Sequence, residues 1–80
     1  MRKSIFTSQQ DHLQKLLRQV RAEAGLTQLG LAKRLRQPQS FVSKYESGER
    51  RLDLIELRQI CKAAGITLSD FVHRFEDSVQ

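Results

Sequence analysis

Apolar residues in this 80-residue chain recur at intervals of three and four, and no stretch alternates apolar with polar. Leu13, Leu16, Leu17, Val20 and Ala24 form one stripe, Leu31, Ala32 and Leu35 a second, and Leu54, Leu57, Ile60, Cys61 and Ala64 a third. This spacing gathers side chains on one face of a helix and would scatter them over both faces of a strand. Gly25, Pro38, Gly48 and Gly65 interrupt the stripes. Glycine reaches the left-handed backbone that ends helices, and proline cannot continue one. The pattern predicts five short helices over 9–24, 28–35, 39–46, 54–63 and 68–76, with tails at 1–8 and 77–80. The fold class is therefore a compact all-α domain. Candidate caps support the starts: Ser8 with Asp11, Thr27, Asp53 with Glu56, and Thr67 with Asp70.

Charge narrows the functional classes. Lys and Arg number 14 against 9 Asp and Glu, a formal net charge of +5. Residues 1–36 hold eight of the basic residues and two acidic ones, so the excess lies in the first half. A basic surface on a small domain selects for polyanions. No apolar run is long enough to span a membrane, and the N-terminal stretch lacks the apolar segment of a signal peptide. A cytoplasmic location with no membrane partner is expected. The single cysteine, Cys61, excludes an internal disulfide and any cysteine-rich zinc site, and its place on an apolar stripe marks it as core. His12 and His73 fall on separate helices. No catalytic constellation, metal site or phosphate-cradling glycine loop is present, so neither an enzyme nor a cofactor is expected.

Residues 27–48 carry the functional signal. Two short helices are joined by the turn Arg36-Gln37-Pro38. Leu31, Ala32 and Leu35 point inward from the first; Val42, Tyr45 and Glu46 share the inner face of the second. The outer face of the second helix holds small polar and basic side chains, which suits a helix that enters the major groove. The chain here resembles the lambda Cro/C1-type, or XRE, helix-turn-helix family. The matching residues are Arg21, Gly25-Leu26-Thr27-Gln28, Leu31-Ala32, Leu35, Pro38 to Glu46, Gly48, Leu57, Ile60, Ala64-Gly65-Ile66 and Leu68.

The resemblance implies a five-helix domain that binds double-stranded DNA and regulates transcription as a homodimer on an inverted repeat. It implies that Gln39, Ser40, Ser43 and Lys44 read base edges. Glutamine pairs bidentately with adenine, Lys44 reaches guanine or a phosphate, and Ser40 and Ser43 contact either a phosphate or a base edge. Gln28 is placed to brace Gln39 and touch a phosphate, and Arg50 and Arg51 to touch phosphates beside the fourth helix. Arg21 and Glu46 are expected as a structural ion pair between helices 1 and 3, because a carboxylate on an inner face needs a partner. Phe41 either packs over helix 2 or meets a thymine methyl.

Helix 5 carries Phe71, Val72 and Phe75, more apolar surface than one helix needs. Phe71 is expected chiefly in the core, and a dimer contact through these residues is a further expectation. Two departures from the family pattern stand out. Gly30 replaces a charged helix former, and Arg36 replaces a glycine common after Leu35. Arg36 must then adopt a strained backbone, or the turn differs. Restriction–modification controllers and antitoxins are small proteins of this kind, and a protein partner is compatible with either. An adaptor on the same frame, with weak DNA affinity, is the competing reading.

Overall fold

The computed structural model describes residues 5–79, with side-chain surroundings from residue 8 onward. Five helices follow one another: α1 (Ile5–Glu23), α2 (Gln28–Leu35), α3 (Gln39–Ser47), α4 (Leu54–Ala64) and α5 (Leu68–Val79). The described residues include no strand. Residues 1–4 and 80, parts of the expected tails, lie outside the described backbone.

Interior helix boundaries agree with the sequence pattern to within one residue, and the outer ends do not. α1 begins at Ile5 and passes through Ser8 to Asp11, so Ser8 caps nothing. No glycine or proline precedes it, and backbone N–H groups that find carbonyls one turn back need no side-chain cap. α5 likewise continues past residue 76 to Val79. Residues 5–8 and 77–79 of the expected tails are helix.

The inner caps form as their side chains require. Thr27 Oγ1 accepts from Gly30 N at 3.0 Å, and Thr67 Oγ1 from Asp70 N at 3.0 Å. Asp53 and Glu56 close a full capping box at the start of α4. Pro38 occupies the N-cap of α3 with φ −66° and no side-chain cap. At the other end of α3, Gly48 has φ +88°, and a Cβ there would stand 2.4 Å from Gln14 Nε2. The left-handed backbone therefore favours glycine, and any larger residue would also have to displace the Gln14 amide.

The α2–α3 turn resolves the question raised by Arg36. Its φ of 57° and ψ of 41° are left-handed, with its N–H held toward the carbonyls of Ala32 and Lys33. Among the described residues it alone, apart from glycine, has positive φ. The turn keeps the geometry a glycine would take, and an L side chain accepts it at a cost of about 1–2 kcal/mol.

The core draws on every helix. Leu16, Leu17 and Val20 of α1 meet Leu31 and Ala32 of α2, Val42 and Tyr45 of α3, Ile60 and Cys61 of α4 and Phe71 of α5. None of these is more than 6% exposed. α2 packs on α3 and α4, while α1 packs on α3 and α5. Burial pushes the Cys61 thiol up to about 11, as suits a small core residue rather than a reactive one. Among the described residues no helix is long and apolar enough to cross a membrane, and no group of side chains could hold a metal ion.

Relief of the left-handed strain is measurable. Arg36→Gly should raise Tm, since each kcal/mol gained moves a domain of this size by roughly 4–8 °C. A lower Tm by calorimetry would show that the Arg36 side chain supports the turn more than its backbone opposes it.

Candidate nucleic-acid interface

The orientation of α3 is set by its inner face. Glu46 is 2% exposed, yet it carries a carboxylate. Arg21 answers it with a two-pronged bond: Nε donates to Oε2 at 2.7 Å and Nη2 to Oε1 at 3.0 Å. Gln28 Nε2 donates to Oε1 at 3.1 Å. Arg18 Nη1 donates to the backbone carbonyl of Glu46 at 2.8 Å. The third prong of Arg21, Nη1, donates to Leu26 O at 3.0 Å and fixes the loop between α1 and α2. One carboxylate thus joins α1, α2 and α3. Its hydrogen bonds push the Arg21 guanidinium further above its already high range. The expected pair is present and partly buried, with 19% of the Arg21 side chain exposed.

With that face occupied, α3 turns Gln39, Ser40 and Lys44 outward, and Ser43 lies half-buried beside them. None of these four side chains makes a hydrogen bond or ion pair among the described residues. Their donors and acceptors are open to an external partner. Phe41 is not part of that face. Its ring stands edge-on to Tyr45, with centroids 5.4 Å apart, and lies beneath the Arg50 guanidinium at 4.8 Å. Phe41 thus packs on Tyr45 of its own helix and on Arg50 of the following loop, rather than over helix 2 alone.

The loop after α3 separates its two arginines. Arg50 Nη1 donates to Glu56 Oε1 at 3.0 Å and to Arg51 O at 3.1 Å, while Nη2 donates to Glu56 Oε2 at 2.6 Å. Arg50 is thus clamped onto the first turn of α4. Arg51 is exposed, and its guanidinium has no partner among the described residues. The Arg50 guanidinium, and after it the Asp53 backbone N–H, holds the Glu56 carboxyl below its usual range.

Some roles were not read from the sequence. Arg18 lies one turn before Arg21, a spacing that shares a helix face, and that was the available signal. Gln28 was placed against Gln39 and a phosphate, but no hydrogen bond joins Gln28 to Gln39, and its amide faces Glu46. Glu56 was read only as half of a capping box, not as the partner of Arg50. In α5, Phe71 is 1% exposed and belongs to the core, which leaves Val72, 42% exposed, and the half-buried Phe75 nearer the surface.

Two measurements probe this framework. Arg21→Ala leaves a buried carboxylate with Gln28 alone, which costs about 3–5 kcal/mol. Its Tm should fall by well over 10 °C, and an unchanged Tm would remove the pair from any structural role. The second is pH-dependent. Because the folded pKa of Glu56 is depressed, its stabilisation is present above the usual value of 4.5 and lost as pH falls through the folded value. Glu56→Gln should therefore show a shallower decline of Tm than the parent chain on acidification below about pH 5. Parallel curves would show that the Arg50 contact does not persist in solution.

The comparisons with known proteins agree with this geometry. A helix-turn-helix family profile matches residues 17–71. An XRE-family like protein from Pseudomonas syringae pv. tomato str. DC3000 is 42% identical, with 91% of this chain and 89% of that one covered and a TM-score of 0.85. The clp gene regulator ClgR from C. glutamicum is 26% identical, with 90% and 92% covered and a TM-score of 0.77. A search of curated proteins gave no match. With its matched segment spanning all of α2, α3 and α4, the chain belongs to the Cro/C1-type, or XRE, family of helix-turn-helix DNA-binding regulators.

Proposed function

We propose that this regulator reads a specific operator with the outer face of α3 and binds as a homodimer to an inverted repeat. One observation carries the reading. Gln39, Ser40, Ser43 and Lys44 offer polar groups with no internal partner, on a helix whose opposite face is locked by Glu46 and Arg21. Preorganised, unpaired donors and acceptors discriminate bases because a wrong base leaves them unsatisfied. Gln39 and Ser40, at the N-terminal end, enter the groove first, and Lys44 follows one turn on. Arg51 is the readier phosphate ligand. Arg50 reaches a phosphate by sharing its donors with Glu56, and Gln28 by sharing its amide with Glu46.

For the dimer, Val72 and Phe75 of α5 supply the apolar contact, with Phe71 supporting them from the core. Two copies would present their α3 helices about 34 Å apart along one side of the duplex.

Selection of bound fragments from a random duplex library, at fixed salt, tests the reading. The expected product is an inverted repeat with half-sites one helical turn apart. Gln39→Ala should lose roughly 1–3 kcal/mol on that site and relax one position in each half. Absence of any enriched sequence would sink the operator reading and favour an adaptor.

A further inference from the structure

We propose that the face formed by the C-terminal end of α2 and the outer side of α4 is a second phosphate-binding site. It would hold nucleic-acid backbone beyond the segment under α3, and it rests on the DNA reading above. The site is a concave surface rather than scattered charge. A cavity of about 430 Å³ is lined by Arg34, Leu35, Arg36, Gln59, Lys62 and Ala63. A second, of about 340 Å³, shares Lys62 and adds Arg58. No carboxylate lines either one.

The state of these cations differs from that of the three ion-paired arginines. Arg21, Arg50 and Arg74 each face a carboxylate within 3 Å. Arg36, Arg58 and Lys62 are exposed and have no side-chain partner among the described residues. Arg34 is held in place, with Nη1 donating to Ala63 O at 2.9 Å, which leaves its other nitrogens available. Clustered like charges repel one another until a polyanion neutralises them.

A plainer cause accounts for part of the cluster. Cations gather at helix C-termini, where carbonyls are unpaired, and Lys33, Arg34 and Lys62 lie in last turns. Arg58 lies in the middle of α4, and Arg36 holds a left-handed backbone where glycine would sit without strain. A charged side chain kept on a strained backbone, at the rim of a basic cavity, points to use of that charge. Position supplies the source of the phosphate. Arg36 is three residues before Gln39, so the cavity adjoins the end of α3 that enters the groove, and a strand leaving the groove there passes over it.

The test uses the full chain and the triple variant Arg36→Gly, Arg58→Gln, Lys62→Gln, none of whose parent residues belongs to the reading face. Affinity is measured against salt on the selected duplex alone and on the same duplex extended by about one helical turn at each end. A parallel arm titrates the free protein with pyrophosphate and follows the backbone amides of Arg36, Gln37, Ala63 and Ala64 by NMR. The extended duplex should bind the parent chain more tightly, with a log K against log salt slope steeper by about 2–3. The variant should bind the short duplex normally and lose that increment. Saturable pyrophosphate shifts without a flank effect would keep the phosphate site but assign it to a free phosphorylated ligand. Those shifts would be read even if no duplex were bound, so failure of the DNA reading is separable. No flank effect and no pyrophosphate response overturns the site. Equal loss on both duplexes overturns it too, by placing these residues at the reading face. Saturation by a glutamate-rich peptide alone also overturns it, in favour of an acidic protein partner.

Discussion

The Glu46 carboxylate is the constraint around which the helix-turn-helix is organised. A charge that is 2% exposed is tolerated only when its lone pairs are filled. Arg21 from α1 and Gln28 from α2 fill them, and Arg18 takes the carbonyl of the same residue. Planar guanidinium and carboxylate groups bond in pairs only in one mutual orientation. Apolar packing between α1 and α3 would tolerate small slides; this paired geometry does not. The consequence reaches the far side of α3, where the angular placement of Gln39 and Lys44 follows from where Glu46 is held.

Both ends of α3 are fixed by the same economy of means. Pro38 presets the backbone at the entrance, and the left-handed Gly48 ends the helix against Gln14. Beyond Gly48, Arg50 ties the loop to Glu56, whose carboxylate also accepts from the Asp53 backbone N–H. The start of α4 is thereby linked to Phe41 on α3 through the Arg50 guanidinium. α3 is held on its inner face by an ion pair and at its end by a second one.

How far this was legible in the sequence depends on the range of the interaction. Local signals were read accurately where a residue has few alternatives. Thr27, Asp53 and Thr67 cap, Gly25, Gly48 and Gly65 are left-handed, and Cys61 and Phe71 fall in the core as their stripes require. The Arg21–Glu46 pair was legible because a carboxylate on an inner face leaves few solutions. The start of α1 was misread because Ser8 is a competent cap that its own helix bypasses. Gln28 and Arg50 were incompletely read for another reason. Long side chains with several donors take whatever acceptor the tertiary fold brings near, and sequence spacing does not encode that choice.

The charge distribution also changes meaning once the pairings are known. By sequence the first half is basic and the second nearly neutral. In the fold that division dissolves. Arg21 from the basic half is neutralised inside, while Arg51, Arg58 and Lys62 from the neutral half stand unpaired outside. What an approaching duplex meets is the set of unpaired cations, not the formal sum. Among the described residues these include Lys44 and Arg51 around α3, Arg36, Arg58 and Lys62 on the α2–α4 face, and Lys15 and Lys33 elsewhere on α1 and α2. Phosphate attraction is sequence-blind, whereas base contacts carry the choice of site. The division of roles therefore follows rigidity. Under the proposed reading, the side chains that choose sit on a helix held by two ion pairs, and the unpaired cations that attract sit around it.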